Sequence, residues 1–261
     1  MAQGRDLALL KDAARGAGDI ARRYFRRDPE AWAKPGGAGP VTEADLAVDK
    51  ILREELTGAR PDYGWLSEET PDSPARLERD RLFIVDPIDG TRAFIDGDPT
   101  WAISLAVAER GRVTSAVVYL PARDKLYAAE AGHGAWLGER RIRASARDAL
   151  EGATVLAARP TFEPFHWKDA TPPPVDRQFR SSLAYRLSLT GEGRFDAMLT
   201  LRATWEWDIA AGSLIVAEAG GVATDRRLVP LAFNNPGAQV NGVVAAGARL
   251  HPLLGARLSA A

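Results

Sequence analysis

The stretch Phe83-Ile84-Val85-Asp86-Pro87-Ile88-Asp89-Gly90-Thr91-Arg92-Ala93-Phe94 constrains this chain more than any other. Its first half is a short apolar, β-branched run that reads as a buried strand, and it ends in Asp86, so the strand delivers a carboxylate to its own end. Pro87 fixes φ and pushes Asp86 towards an extended backbone, while Gly90 permits a sharp bend or a close approach before Thr91 begins the next element. Asp86 and Asp89 therefore sit close together, and they repel one another unless a proton or a cation intervenes. With no Cys and only three His in the chain, soft metal chemistry is poorly provided for, and oxygen ligands point to a hard ion, Mg²⁺ or Mn²⁺. If Gly90 and Thr91 open a helix, their free N–H groups aim at the place where a phosphate would sit. The competing reading of an isolated D-x-x-D-G is a solvated turn that reverses the chain.

At 261 residues the chain is long enough for one large domain or two packed halves around a sizeable core. Its 34 Lys and Arg stand against 35 Asp and Glu, so no whole-molecule field draws it to nucleic acid or a membrane surface. No apolar run approaches the roughly 20 residues needed to span a bilayer, and Arg5, Asp6, Lys11 and Asp12 interrupt the place of a signal peptide. Absence of Cys excludes disulfides and fits the cytoplasm, which is the expected location.

Taken in order, Leu7 to Phe25 carry apolar residues at helical spacing and predict a packing helix. Asp28 to Pro40, with Lys34-Pro35-Gly36-Gly37, reads as a mobile loop in which Lys34 is either a solvated charge or a lid residue over an anionic substrate. Thr42 with Asp45 three residues on resembles a capping box at the start of an amphipathic helix. Tyr63 to Ser67 predicts a strand delivering Glu68 to the sheet edge that carries Asp86, and Thr70 to Arg81 an exposed connection. Antiparallel strands follow over Ile103–Val107, Ala116–Leu120 and Leu126–Ala129, with His133 on a surface turn. Thr154 to Ala158 opens a second half. Ser181 to Thr190 predicts a helix, and Asp208 either caps an apolar helix that ends near Gly220 or reaches across to the site built around Asp86. The expected organisation is one compact catalytic unit of two halves, 1–148 with most of the carboxylates and 149–261 with Asp208 and the substrate pocket.

Taken together, Asp45, Glu68-Glu69, Asp86-Pro87-Ile88-Asp89-Gly90-Thr91 and Trp207-Asp208, in this order, resemble the inositol monophosphatase superfamily of Mg²⁺-dependent, Li⁺-sensitive phosphatases. Single motifs are weak where the combination is specific, and the resemblance spans nearly the whole chain. It implies an α/β (α+β) fold, a layered αβαβα sandwich of the inositol monophosphatase and fructose-1,6-bisphosphatase type. It also implies that Glu68, Asp86, the Ile88 carbonyl, Asp89 and Asp208 hold two or three Mg²⁺ ions, with Mn²⁺ a possible substitute. Thr91 and Asp45 would form a dyad that orients the attacking water with Glu68, and the amides of Gly90 and Thr91 would grip the phosphate. Carboxylates suit this work because they neutralise the ion and leave positions for water and phosphate. A homodimer is the oligomer implied, and a small phosphorylated molecule the partner, with neither nucleic acid nor membrane.

For the substrate, Ser67, the Ser181-Ser182 pair and Glu206 look like the 3′(2′),5′-bisphosphate nucleotidase (CysQ-like) branch, which is the expected activity. Inositol-1-monophosphatase and histidinol-phosphate phosphatase are the alternatives, the second because of Pro99-Thr100-Trp101; Leu201, where the inositol branch carries an acid, departs from the first. A bisphosphate needs a second anion site and a flat surface for the base. Ser182, Arg186, Arg202 and Glu206 are the expected substrate contacts, with Arg180 a further cation and Trp205 or Phe233 the candidate platforms. The alternative of a different class is a non-catalytic metal- or phosphate-binding protein that keeps the fold.

Overall fold

The computed structural model describes residues 3–34 and 39–259. Helix α1 (Gln3–Tyr24) leads into a small hairpin of β1 (Ala31–Ala33) and β2 (Pro40–Thr42), and α2 (Glu43–Ala59) follows. The main sheet contains β3 (Gly64–Ser67), β4 (Arg81–Asp89), β5 (Ala102–Glu109), β6 (Arg112–Leu120), β7 (Lys125–Glu130), β8 (Gly134–Leu137) and β9 (Arg140–Arg141), in that spatial order. Strands β3 and β4 run parallel and every later neighbour is antiparallel. The one-turn helix α3 (Thr91–Ile95) interrupts the path from β4 to β5.

The second sheet is built from β10 (Thr154–Ala157), β11 (Asp176–Gln178) and β12 (Ala197–Thr200), with α4 (Leu183–Gly191) between β11 and β12. Next come β13 (Thr204–Trp205), α5 (Glu206–Glu218), β14 (Gly221–Thr224), β15 (Gln239–Val240), β16 (Val243–Gly247) and α6 (Leu250–Arg257). Its order is β11-β10-β12-β16-β14, while β13 and β15 pair separately.

Three hydrophobic clusters hold five layers together, one of them covering both faces of the central helices. In β4, Phe83, Val85 and Ile88 pack with α1 and α2, whereas Leu82 and Ile84 face α4 and α5. Strand β12 repeats the alternation: Met198 faces the helices it shares with the main sheet, and Ala197 and Leu199 face the cluster that includes Leu250 and Leu254 of α6. A strand covered on both faces needs apolar residues at consecutive positions, which is why β4 reads as an unbroken hydrophobic run. The result is the αβαβα sandwich expected from the resemblance. Helices α4 and α5 fill its central layer, and their contact is so close that a Cβ at Gly212 would lie 2.5 Å from Leu187 Cβ.

Two expectations for connecting segments are corrected. Within Asp28 to Pro40, Ala31–Ala33 pairs with Pro40–Thr42, so the ends of the expected loop are held by a ladder; residues 35–38 lie outside the described part. Thr70 to Arg81 is not simply exposed, because Pro74–Glu78 forms a 3-10 turn that buries Arg76. Its guanidinium donates to Asp72, to Asn234 Oδ1 at 2.7 Å and to the Asn235 carbonyl at 2.9 Å. Hydrophobicity patterns miss this segment because a single multidentate arginine buries it.

Candidate active site

Residues three apart on a regular strand point to opposite faces, yet Asp86 and Asp89 point to one place. The register of β4 against β5 slips between Asp86 and Asp89, and the Pro87-Ile88 bulge restores the alignment. Gly90 then turns with φ of +100°, and a Cβ there would meet the Thr100 carbonyl at 3.4 Å and Ser182 Cβ at 3.6 Å. Its left-handed backbone starts α3 directly after Asp89, as the sequence predicts.

Asp208 arrives from the other half of the chain. Ser104 pairs with Asp86 in the β4–β5 register, and its hydroxyl donates to the Trp207 carbonyl at 3.1 Å. The first turn of α5 is thereby pinned against the end of β4. Asp208 is not the N-cap expected; Trp205 occupies that position and Asp208 lies within the first turn, where the helix dipole still favours its charge. Carboxylate oxygens of Asp86, Asp89 and Asp208 lie within 4.8 Å of one another.

Burial, and the mutual repulsion of the acids around it, raise the Asp86 and Asp208 carboxyls well above the usual carboxylate range. Asp89 is pushed up to about 6, chiefly by burial, although Ser182 Oγ and the Ala184 amide donate to its Oδ2, each at 2.6 Å. Asp86 Oδ1 is buried with no hydrogen-bond partner among the described residues. A buried orphan carboxylate oxygen facing two more carboxylates is the arrangement a hard divalent cation compensates, and all of the donors are oxygen. The residues present therefore fit such an ion.

Thr91 and Asp45 meet as expected, with Thr91 Oγ1 3.2 Å from Asp45 Oδ1 and 3.3 Å from the Ile88 carbonyl. The Thr42 hydroxyl and amide donate to Asp45 Oδ2, and the Thr42 hydroxyl accepts from the Ala44 and Asp45 amides, so Asp45 closes a capping box and also faces the site. Burial pushes its carboxyl up to about 6. Glu68 follows β3 with its amide on the Val85 carbonyl. Lys34 is neither solvated nor free: its ammonium lies 2.8 Å from Glu68 Oε1 and 2.6 Å from Glu69 Oε1. Its burial opposes the charge, but the two carboxylates outweigh that and hold its pKa above the ordinary lysine value. Glu69 is pushed up to about 7, mainly by burial.

The expected substrate contacts divide. Ser182 caps α4 and supports Asp89 instead of facing open space. Arg186 is buried, stacks on Phe179 at 4.4 Å and donates to the Arg180 and Ser181 carbonyls, and burial lowers it to about 10. Arg202 is exposed and close enough for its charge to be felt by Asp208. Glu206 is a correction: it is fully buried, and its carboxylate accepts from the Asn234 and Asn235 amides at 2.7 Å and from Asn235 Nδ2 at 2.8 Å, which leaves it to hold a turn.

Of the features that suggested a nucleotide, Ser67 and Phe233 are absorbed by the fold, whereas Trp205 stays 38% exposed. Ser67 donates to Asp49 of α2, Trp205 stacks on Trp207 at 4.7 Å, and Phe233 is buried beside Gly111 at the β5–β6 turn. Trp101, which suggested histidinol phosphate, is fully buried against Phe94. Sequence reasoning missed Asp49, which also accepts from Thr70 at 2.7 Å and so braces the segment carrying Glu68 and Glu69. Its spacing of four from Asp45 on one helix face was the available signal.

The profile of the inositol monophosphatase family matches residues 5–260. The inositol-1-monophosphatase of Rhizobium meliloti (strain 1021) is 39% identical over 238 residues, 86% of this chain and 87% of that protein. The Nus factor SuhB of Pseudomonas aeruginosa is 34% identical, with 84% of each chain covered. Among solved structures, the IMPase of Thermotoga maritima superposes with a TM-score of 0.80 at 30% identity, over 96% of this chain and 94% of that one. The extragenic suppressor protein suhB of Bartonella henselae superposes with a TM-score of 0.83 at 30% identity over 97% of both.

Proposed function

From its place in the inositol monophosphatase family, where this chain belongs as a metal-dependent phosphoric monoester hydrolase, we propose that it hydrolyses a compact cyclitol monophosphate of the inositol 1-phosphate kind. The observation that carries the reading is the convergence of Asp86, Asp89 and Asp208 beside the Gly90–Thr91 helix start. Relatives named inositol-1-monophosphatase support the substrate. So does the structural use of three residues that suggested a nucleotide, Ser67, Glu206 and Phe233, while Trp205 stays exposed. This replaces bisphosphate nucleotidase as the preferred reading. The cytoplasm and a homodimer belong to the same proposal, and sedimentation equilibrium tests the second.

Mg²⁺ is the proposed cofactor, held by Asp86, Asp89, Asp208, Glu68 and the Ile88 carbonyl. When bound, it supplies charge neutralisation at the phosphoryl group and a lowered pKa for water. The chain's own residues do the rest. The Gly90 and Thr91 amides, free at the start of α3, bind phosphoryl oxygens. Thr91 Oγ1 donates to Asp45 and leaves its lone pairs to accept from the attacking water, so Asp45 takes up the proton that water loses through Thr91. Glu68 fixes the water's second hydrogen. Water oxygen bonds to phosphorus, the ester P–O bond breaks, the leaving oxygen takes a proton from solvent water to become the alcohol, and Asp45 returns its proton to solvent.

The test is phosphate release from inositol 1-phosphate, adenosine 3′,5′-bisphosphate, histidinol phosphate and fructose 1,6-bisphosphate, with Mg²⁺, with EDTA, and with Mg²⁺ plus Li⁺. A Mg²⁺-dependent, Li⁺-inhibited preference for inositol 1-phosphate of about a hundredfold, about 2.7 kcal/mol of transition-state discrimination, is expected. Faster release from the bisphosphate would return the nucleotidase reading.

A further inference from the structure

A second cleft, of about 420 Å³, opens on the other side of the wall that backs the active site. Asp98, Thr100, Arg123, Arg180, Ser181 and Arg194 line it, together with aromatic rings. We propose that it binds a tetrahedral oxyanion, with inorganic phosphate as the ligand, at a site separate from the catalytic one.

Three arginines line one small space, and among the described residues none of them forms a salt bridge. Arg123 Nε reaches only the Pro99 carbonyl at 3.3 Å and Arg180 only the carbonyl of its neighbour Phe179, while their planes lie over Tyr185 and Phe195 at 6.0 and 5.5 Å. Two acids lie nearby, and neither pairs with these arginines. Asp98 Oδ1 accepts from the Thr100 amide at 2.9 Å and its hydroxyl at 2.8 Å, and Glu192 accepts from Tyr127 and Arg140. Three guanidinium charges against the single carboxylate of Asp98 leave the cleft net positive and raise the local concentration of anions, and planar guanidinium forks match phosphate oxygens two at a time. Aromatic faces under two of the arginines hold those planes at the rim.

The cleft is distinct from the catalytic site but touches it through one short segment. Thr100 and Ser181 are on its side of the wall, and Gly90 and Ser182 are on the other. Arg186 ties the Arg180 and Ser181 carbonyls down, and the next residue, Ser182, donates to Asp89. An anion drawn to Arg180 therefore bears on the backbone that positions a proposed metal ligand.

Equilibrium dialysis with radiolabelled phosphate tests this without reference to substrate. Wild-type protein with Mg²⁺ is expected to take up a second equivalent per chain beyond the catalytic one, and in EDTA to retain one. The double variant Arg123→Gln/Arg194→Gln is expected to keep the Mg²⁺-dependent equivalent, which shows that it is folded, and to lose the EDTA-resistant one. Phosphate uptake that vanishes entirely in EDTA for the wild type, or an EDTA-resistant equivalent unchanged in the double variant, overturns the proposal and leaves the phosphatase reading untouched.

Discussion

The hydroxyl of Ser182 donates to Asp89 Oδ2 at 2.6 Å across 93 residues of sequence. One hydrogen bond thus joins the N-terminus of α4, in the central helical layer, to the carboxylate that ends β4. The same serine accepts from the Tyr185 amide at 2.9 Å as the cap of its helix, so the placement of Asp89 and the capping of α4 depend on a single side chain.

Ser182→Ala removes both. Loss of the cap is expected to cost about 1 kcal/mol of stability, read as a lower melting temperature. Loss of the support to Asp89, the proposed metal ligand, is expected to raise the Mg²⁺ concentration for half-maximal phosphate release by roughly tenfold or more. A lower melting temperature with an unchanged Mg²⁺ requirement would show that the Ala184 amide alone suffices to orient Asp89.

Asp89→Asn is expected to abolish phosphate release and to stabilise the metal-free protein. The sign follows from protonation. Burial raises Asp89 from 3.8 to about 6 in the folded state, so the folded protein binds this proton more tightly than the unfolded chain does. That contribution is complete below about pH 4 and is lost as pH rises through about 6, which amounts to about 3 kcal/mol. Asparagine does not titrate, so the variant's advantage in EDTA is expected to grow across that window and then level off. Urea denaturation at pH 4.5 and pH 8 measures it; equal stability differences at the two values would contradict the burial of this charge.

Thr91→Ala removes the hydroxyl that faces Asp45 at 3.2 Å and no carboxylate. Its kcat is expected to fall by about 10²–10⁴, with Mg²⁺ binding by calorimetry nearly unchanged. Parallel loss of Mg²⁺ binding would assign Thr91 to the metal site through the Ile88 carbonyl instead of to the water.

Lys34 neutralises Glu68 and Glu69 where a divalent ion would do the same. Lys34→Gln is expected to lower the Mg²⁺ concentration for half-maximal rate by a factor of about 3–10, since an ammonium within about 4 Å competes for the same carboxylates. A rise in that concentration would mean that the lysine assists closure of the site.

Glu206→Gln separates holding a turn from holding a substrate. The Asn234–Asn235 turn loses charge-assisted acceptors, and about 1–3 kcal/mol of stability is expected to go with them, while KM for inositol 1-phosphate stays the same. A raised KM with unchanged stability would restore Glu206 to the substrate pocket.

What the sequence determined by itself was local or carried by strong patterns. The buried run to Asp86, the turn at Gly90, the Thr42–Asp45 cap and the acidic stations are all properties of neighbouring residues, and the order of those stations carries the family resemblance that implied the layered fold and the hydrolase class. Tertiary structure decided what depended on the far side of the chain. Ser182, Glu206 and Ser67 are polar residues near motifs, and no local pattern says whether such a side chain faces solvent, substrate or a distant carboxylate. Packing of α4 against α5 brought Ser182 to Asp89, and Arg76 with Glu206 claimed the 234–235 turn. Those long-range contacts were beyond any local pattern, because a buried hydrogen-bonding group goes to whichever partner the fold sets within reach.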